Sequence, residues 1–248
     1  MARLLGSVLA LVVVAGCGGT KVVTTTTTTP AANFAKIKVY FLHNGKVQPV
    51  SRSVTTTEPP WLGAWKDLTA GPTGETAPAA TTALPFPTAS TARWTLGVTD
   101  ENVLSLTTVV LSTPALAQTV YTLSQFAPAR PVVVNGTRYT RSDFEDETPA
   151  ILVEAPLPEA HVASPLVLTG TANTFEATFE YELVDSAGKV VAKHFATATS
   201  GSGTRGTFNL TIPFSGAAAG TGKLVVYESS AKDGSRIHVI EIPLRLTG

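Results

Sequence analysis

Cysteine is almost absent from this chain, whose 248 residues contain only Cys17. A single thiol excludes any disulfide within the chain, so the fold must depend on apolar burial and hydrogen bonds. An exported protein that keeps one cysteine needs a reason for it. Lipidation would supply that reason, because it converts the sulfur into a thioether.

Charge is also scarce. Lys, Arg, Asp and Glu make up 15% of the chain, compared with about 25% in an average soluble domain, and 18 basic residues balance 18 acidic ones. A chain without a broad basic field is a poor partner for nucleic acid, so we expect none. The hydrophobic fraction of 44% is enough to form cores, and the length predicts one large or two small domains.

No apolar stretch near the N-terminus is long enough to span a membrane. The apolar segment at residues 4–15 is shorter than the roughly 20 residues of a spanning helix, and it follows a basic start, which is typical of a signal peptide. It ends in Val14-Ala15-Gly16-Cys17, which resembles the bacterial lipobox. The resemblance implies a diacylglyceryl anchor on Cys17 at the extracytoplasmic face of the cell membrane. The alternative is an ordinary secretory signal with a chance cysteine.

Composition divides the rest of the chain. We expect a signal peptide at residues 1–16, a lipidated cysteine and Thr-rich flexible tether at 17–35, an α+β domain at 36–143, an acidic linker at 144–150 and an all-β sandwich at 151–248. The tether contains six consecutive threonines at residues 24–29 and no apolar period, so nothing in it offsets the entropy of ordering.

The first domain mixes strand and helix patterns. Polar and apolar residues alternate from residue 36 to 42, Asn44-Gly45 predicts a turn, and Gly71-Pro72 stops a first helix. The elements predicted in chain order are residues 36–42, 61–68, 94–99, 103–107, 113–126 and 132–134. The order β-α-β-β-α-β predicts an α+β fold with helices on one face of a small, mainly antiparallel sheet.

Short motifs in this domain resemble the GerMN domain of sporulation and germination proteins. They are Val39-Tyr40-Phe41, Val50-Ser51-Arg52, Gly71-Pro72-Thr73, Leu84-Pro85, Leu96-Gly97-Val98, residues 102–107, and Leu116 with Thr122-Leu123 and Phe126. The resemblance covers roughly residues 36–135. It implies a non-enzymatic module, and some members resemble ring-building modules, so self-association through the first domain is expected.

The acidic stretch at residues 143–149 has two interpretations. A calcium loop would need converging acids and a turn glycine, and this stretch has no glycine. Because runs of charge are usually solvated, we predict a solvated linker.

The second domain has an all-β pattern. Phe175, Ala177, Phe179, Tyr181 and Leu183 alternate with polar residues, which predicts a strand with one buried and one solvent-facing side. About seven such short strands predict a two-sheet sandwich, without the Cys, Trp and Cys core of antibody domains. Pro243 lacks a backbone donor, so we expect the last strand to lie at a sheet edge or a bulge there.

Several motifs resemble the immunoglobulin-like domain of bacterial spore germination proteins. They are Ser164-Pro165-Leu166, Gly170-Thr171-Ala172, Phe175-Glu176-Ala177, Gly206-Thr207-Phe208 and the block Glu228-Ser229-Ser230-Ala231-Lys232-Asp233-Gly234. GerMN domains and this sandwich occur together in lipoproteins, so the two resemblances support each other.

Catalytic patterns are weak throughout. The four histidines, His43, His161, His194 and His238, lack the spacing of a helical metal site. The glycine-rich loop at residues 200–206 leads into a strand, which favours a hairpin loop over an anion-binding nest. We therefore expect no catalytic residue, no metal and no cofactor.

A few residues remain as weak candidates for contacts. Glu176, Glu180 and Glu182 share one strand face and could act as a paired acid and base, but the pattern places them in solvent, where we expect plain surface residues. Trp61 and Trp65 lie at i and i+4, where they form either a sugar or protein contact or, more often, part of a core. The candidates for an interface are therefore Trp61, Trp65, Asp233 and Gly234.

Two classes of function fit these observations. The favoured one is a non-catalytic, membrane-anchored envelope lipoprotein that binds or scaffolds partner proteins or peptidoglycan. The alternative is a secreted cell-wall or ester hydrolase with an unrecognised active site, for which Glu180 or His194 would be the residues to test.

Overall fold

The computed structural model describes residues 34–73, 80–85 and 94–247. These residues are mostly β-structure with two α-helices and two short 3-10 helices. They form two hydrophobic cores, one for each of two consecutive units, here called the first and the second unit. The predicted tether lies outside the described residues except for its end, because the first strand already begins at Phe34.

A long hairpin opens the first unit. Strands β1 (Phe34–His43) and β2 (Lys46–Thr55) pair antiparallel over their whole length. The turn between them is Asn44-Gly45, with φ of 51° and 76°. Asparagine and glycine tolerate this left-handed conformation, which a two-residue hairpin turn of this kind requires. The turn predicted from the sequence is therefore confirmed.

Two helices pack against this hairpin and against each other. Helix α1 (Pro60–Ala70) ends at Gly71, as predicted, with φ of 87°. Helix α2 (Thr113–Ser124) has Pro114 in its first turn and Ser112 at its N-cap, although no side-chain capping bond forms. Spacing along the helix places Leu116, Val120 and Leu123 on one apolar stripe, but the buried part of α2 is wider and runs without a break from Ala117 through Ser124.

A second, separate sheet completes the first unit. Its strands are β3 (Thr95–Val98), β4 (Leu104–Thr107), β5 (Val132–Val134) and β6 (Thr137–Tyr139), with β4 and β5 parallel. The described order is thus β-β-α-β-β-α-β-β, not β-α-β-β-α-β, and the strands divide between two sheets. The sequence did not predict β6 as a strand, because it is only three residues long and largely exposed.

The acidic segment is not a fully solvated linker. Residues Arg141–Glu147 form a 3-10 helix in which Phe144 is buried, and the following Thr148 is buried as well. The helix begins with a capping box between Thr140 and Asp143. The prediction failed here because one aromatic residue within the run of acids fixes the segment against the core.

The second unit is a sandwich of two sheets. Its strands are β7 (Ile151–Ala155), β8 (Ala160–Val162), β9 (Leu166–Ala172), β10 (Thr178–Val184), β11 (Val190–Thr197), β12 (Gly206–Ile212), β13 (Gly220–Ser229) and β14 (Arg236–Leu246). One sheet has the order β11-β10-β13-β14-β8 and the other has the order β12-β9-β7. The two-sheet architecture matches the prediction, with the short β8 in addition.

Two local details differ from the expected strand pattern. The alternating run begins as a turn, because Glu176 and Ala177 have φ of 53° and 59° and Phe175 is exposed. Pro243 lies just before Leu244, where β14 gains its second neighbour, β8, in parallel pairing. Before Pro243, β14 pairs only with β13 among the described strands and is an edge strand. After Pro243, β14 lies between β13 and β8 and is an inner strand.

No helix in the described ranges is long and apolar enough to cross a membrane.

Candidate functional site at the junction of the two units

The polar side of α2 lies along β1. Gln125 bonds both the N–H and the carbonyl of Lys38, at 3.0 and 2.7 Å, and Thr122 Oγ1 accepts from the Tyr40 N–H at 3.0 Å. Gln118 Nε2 donates to the Tyr40 carbonyl at 3.2 Å. Side chains of α2 and of the residue that follows it thus bond the backbone N–H and C=O groups on the free edge of β1. In a sheet a neighbouring strand would bond these groups, and buried without partners they would be costly.

The same edge places Tyr40 against the second unit. Strand β7 has a bulge between Val153 and Ala155, so Glu154 lies outside the regular register with β9. A bulge re-aims a side chain, and Glu154 accepts hydrogen bonds from Tyr40 OH at 2.9 Å and from Lys38 Nζ at 2.8 Å. Arg141 Nη1 also bonds this carboxylate.

Arg141 lies at the centre of these contacts. Its guanidinium lies 5.2 Å from the Tyr40 ring centre and 4.7 Å from that of Tyr121, and it donates to Ser124 Oγ and to the Tyr121 carbonyl. Such a geometry combines cation–π and charge-assisted hydrogen bonds. We call Lys38, Tyr40, Tyr121, Arg141 and Glu154 the junction cluster.

Burial and charge set the protonation states in the junction cluster. Burial raises the pKa of Tyr40 and of Tyr121, so both phenols stay neutral. Burial also acts to raise the pKa of Glu154, but Arg141 and Lys38 outweigh it, and that pKa lies below its usual value. The cluster is therefore one carboxylate shared between two cations, and neither its carboxylate nor its two phenols are poised to exchange protons near neutral pH.

A second ion pair joins the units on another side. Arg205 bonds both carboxylate oxygens of Glu145, at 2.8 and 2.9 Å, and the carbonyl of Pro149. Asn173 Nδ2 adds a bond to the same carboxylate at 2.8 Å. The Arg205 hydrogen bond is the main reason that the pKa of Glu145 lies below its usual value. This bidentate arrangement fixes orientation as well as charge.

A cleft opens beside the junction cluster. It has a volume of about 490 Å³ and is lined by Lys38, Ser124, Gln125, Pro128, Ala129, Arg130, Pro131, Thr140, Arg141 and Glu154. We call it the junction cleft. The two units contribute unequally, because only Glu154 comes from the second unit. The lining of the junction cleft contains three cationic side chains and one carboxylate.

The outer face of the five-stranded sheet carries a third polar cluster. Glu182 is buried, contrary to the prediction, and it bonds Arg236, Lys193 and Tyr227 OH at 2.6, 2.8 and 3.2 Å. Arg236 Cζ lies over the Tyr227 ring, 4.2 Å from the ring centre. Glu180 is half-buried and accepts from Tyr227 and Ser229.

The predicted row of three surface acids is therefore wrong. Glu176 lies in the turn before β10, and the other two are held by partners on β11, β13 and β14. The pKa of Glu180 is lowered chiefly by Ser229, and hydrogen bonds from Lys193 and Arg236 outweigh the burial of Glu182 to lower its pKa. Both carboxylates stay ionised, which suits structural ion pairs and not a general acid.

The residues predicted as contact sites lie apart from one another. Cys17 is outside the described residues. Trp65 is fully buried in the first core and lies 6.0 Å from Trp94, while Trp61 is partly buried against the same core. The core interpretation therefore describes Trp65, and its ring cannot contact a partner.

Asp233 and Gly234 form the exposed turn between β13 and β14. Asp233 Oδ1 accepts from Ser235 at 2.7 Å, and Gly234 has φ of 72°. These contacts are local, so this end of the motif block is a turn whose side chains hold its own shape.

The histidines do not converge. His194 bonds the neighbouring Phe195 carbonyl, His238 bonds the buried Glu228 at 2.8 Å, and His161 is exposed. Within the described ranges no group of three or more His, Cys, Asp or Glu is arranged to hold a metal. In the glycine-rich loop, Gly203 N–H bonds Asn173 and Ser202 N–H bonds the Thr174 carbonyl. Both bonds hold the loop to the segment that precedes β10. The predicted hairpin loop is wrong, because β11 and β12 belong to different sheets and the loop crosses from one sheet to the other.

Sequence reasoning missed the junction residues. Lys38 and Glu154 are separated by 116 positions, and Arg205 and Glu145 by 60. No local spacing connects them, so only the folded topology brings them together. The bulge at Glu154 also has no sequence signal of its own.

Comparison with known proteins identifies the second unit. Residues 150–235 match the family model Gmad2, the immunoglobulin-like domain of bacterial spore germination. The chain therefore carries a spore-germination-type immunoglobulin-like domain over about a third of its length, as its motifs predicted. No curated protein matches the chain.

One solved structure is similar at a low level. It is CopC from Methylosinus trichosporium OB3b, with 17% identity and a TM-score of 0.28, over 40% of this chain and 92% of that chain. A similarity at this level carries no argument about the present chain.

Proposed function

We propose that this protein is a non-catalytic lipoprotein of the bacterial envelope, anchored through Cys17, that binds partner proteins or wall polymer. The observation that carries the proposal is the match of residues 150–235 to the immunoglobulin-like domain of bacterial spore germination. The first unit, which resembles GerMN, would be its companion module. Because the host need not form spores, the proposal concerns a general envelope role.

The state of four clustered glutamates supports binding over catalysis at their clusters. Glu145, Glu154, Glu180 and Glu182 each accept hydrogen bonds from cations, phenols or hydroxyls. The pKa of each lies below its usual value. A hydrolase that works by general acid catalysis needs a carboxyl group with a raised pKa, so these residues fit a structural role.

The joined units support a scaffold. Two clusters of charged hydrogen bonds cross the junction, through Glu154 on one side and Glu145 on another. A fixed junction presents the surfaces of both units in one constant orientation. Such pre-organisation reduces the entropy lost when both surfaces bind one partner.

The anchor is tested first. In cells that process lipoproteins, Cys17→Ser should remain uncleaved or leave the membrane fraction, and mass spectrometry should find no lipid on it. A variant that stays in the membrane and carries lipid would overturn the anchor. The control is Ser7→Ala, which alters the leader without touching the cysteine.

Binding is tested in intact cells. Crosslinking of the full-length protein followed by mass spectrometry should recover envelope proteins or peptidoglycan fragments. Recovery of neither, together with turnover of cell-wall or ester substrates that Glu180→Gln or His194→Ala abolishes, would replace this proposal with the hydrolase alternative.

A further inference from the structure

We propose that the junction cleft is an anion-binding site, and that its ligand is a phosphate or carboxylate group carried on a flexible polymer. The inference deepens the proposed function, because it names the ligand chemistry of one surface. The features that carry it are the size of the cleft, its charge balance and its unused hydrogen-bond donors.

The size of the cleft suits a charged group with part of its chain. Its volume of about 490 Å³ lies within the roughly 300–1,000 Å³ of small-ligand sites. Pro128 and Pro131 are among the lining residues. Proline has a fixed φ, so this wall needs little ordering when a ligand binds.

The charge of the lining is positive. Lys38, Arg130 and Arg141 line the cleft, and Glu154 is the only carboxylate among the lining residues. Glu154 already accepts bonds from Lys38, Tyr40 and Arg141. One negative charge therefore faces three positive ones, and the excess attracts an anion in a partly enclosed space.

Two of the cations keep donors for a ligand. A lysine ammonium has three N–H donors, and Lys38 Nζ uses one of them on Glu154. Arg130 Nη1 donates to the main-chain carbonyl of Glu101, which is neutral. The Glu101 carboxylate itself pairs with Arg138 at 2.7 Å. Among the described residues, Arg130 thus has no carboxylate within salt-bridge distance.

The end of α2 beside the cleft does not repel an anion. A helix C-terminus carries partial negative charge on its last carbonyls. Here the Tyr121 carbonyl accepts from Arg141 Nη2, the Thr122 carbonyl from Gln125 Nε2, and the Ser124 carbonyl from the Ala127 N–H. The Leu123 carbonyl accepts from the Phe126 N–H. These bonds offset the charge that would otherwise oppose binding.

The probes are tripolyphosphate, tetraglutamate and the neutral sugar maltotetraose, measured by calorimetry on full-length protein in neutral detergent at low salt. We expect at least one of the two anions to bind and the sugar to show no heat. Binding of tripolyphosphate alone assigns a phosphate-bearing polymer, and binding of tetraglutamate alone assigns a carboxylate-bearing one. Binding should weaken as salt is raised, because the interaction is partly exposed.

Matched variants locate the site. Arg130→Gln should weaken anion binding roughly threefold to fivefold, the range expected for one exposed charged contact. Arg245→Gln removes an exposed arginine on β14, outside the cleft lining, and should bind like the unmodified protein. Equal affinities for both variants, or no binding of either anion, would overturn the site. That failure would leave the crosslinking test of the proposed function unaffected, so the two outcomes are distinguishable.

Discussion

Ile151 and Leu152 are neighbours in β7, yet they belong to different hydrophobic cores. Ile151 is fully buried in the core of the second unit, and Leu152 is buried in the core of the first. Successive side chains of a strand point to opposite faces. Strand β7 therefore lies between the two units and contributes to both, with Glu154 on the same side as Leu152.

This shared strand predicts that the units unfold together. Leu152→Ala should lower the free energy of unfolding by about 2–5 kcal/mol, as for other buried leucines. Ile151→Ala should cost a similar amount. All three tryptophans, Trp61, Trp65 and Trp94, lie in the first unit, so tryptophan fluorescence in urea reports that unit directly. We expect it to detect the Ile151→Ala loss as well, although Ile151 lies in the other core.

The control for this pair is Val167→Ala, because Val167 is about half exposed on β9. It should change stability by less than about 0.5 kcal/mol. If Ile151→Ala shifts circular dichroism but leaves the tryptophan transition unchanged, the units unfold independently and the coupling is contradicted.

Arg141 should be the most costly single charge to remove. Arg141→Leu leaves the Glu154 carboxylate with Lys38 as its one cation beside the Tyr40 hydroxyl, and removes the cation that lies against the Tyr40 and Tyr121 rings. Deleting one partner of a fully buried pair typically costs about 3–5 kcal/mol. This pair keeps 30% and 17% of its side chains exposed, so we expect a smaller loss of about 2–3 kcal/mol. Urea unfolding should show a loss of this size. The double variant Arg141→Leu with Glu154→Gln should recover part of it, because no carboxylate is left without Arg141, and Lys38, whose side chain is 31% exposed, remains in contact with solvent.

The control for Arg141 is Lys223→Leu, whose ion pair with Glu241 is exposed. Its cost should stay below about 1 kcal/mol. A double variant that is less stable than Arg141→Leu would show that the carboxylate is not the source of the cost.

The pH dependence of stability follows from Glu154. Its pKa is lower in the folded protein than its usual value, so the unfolded chain binds more protons on the acid side. The stabilisation is complete above the unfolded pKa of about 4.3 and is lost as pH falls through the folded pKa. Urea midpoints measured from pH 7 to pH 3 should fall less steeply for Glu154→Gln than for the unmodified protein.

Leu152→Ala is the control for that profile, because it lowers stability without removing a titrating group. The urea midpoints of Leu152→Ala should be lower than those of the unmodified protein at every pH, and they should fall equally steeply towards pH 3. If the Glu154→Gln curve keeps the full acid slope, the groups responsible lie elsewhere.

Local signals in the sequence predicted much of the fold. The Asn44-Gly45 turn, the end of α1 at Gly71 and the period-two runs of the sandwich each depend on nearby residues. Backbone conformation and alternation are properties of short segments, so they can be read without the tertiary structure.

The candidate site could not be predicted in the same way. A lysine in β1 and a glutamate in β7 are ordinary surface residues by pattern, and only the topology brings them to one hydrogen bond. Glu182 occupies a position that alternation assigns to solvent, but Arg236 and Lys193 from other strands cover it. Long-range pairing and bulges decide these cases, and neither has a period in the sequence.

Gln118 should resist replacement by an apolar residue of similar size, although it is fully buried. Its amide donates to the Tyr40 carbonyl at 3.2 Å and accepts from the Ala83 N–H at 2.8 Å. Gln118→Leu leaves both main-chain groups without these bonds, and each unsatisfied buried group costs about 1–3 kcal/mol. Thermal unfolding should show a clear loss. Equal stability of Gln118→Leu and the unmodified protein would contradict this role.

Gly170 should be the least replaceable glycine within a strand. A Cβ built at this position would lie 2.1 Å from the Leu152 carbonyl oxygen and 2.6 Å from Phe208 Cζ. Because the nearest atom is backbone, β7 and β9 would have to separate, and overpacking of this kind typically costs about 1–3 kcal/mol. Gly170→Ala should therefore lower the urea midpoint and, through Leu152, weaken the junction. Gly97→Ala is the matched control in β3, where a Cβ meets nothing within 4 Å, and it should be neutral or slightly stabilising. Equal changes in stability for Gly170→Ala and Gly97→Ala would contradict this prediction, because they would mean that β7 moves away from β9 at no cost. We expect such a movement to be costly, because Leu152 and Ile151 anchor β7 in two separate cores.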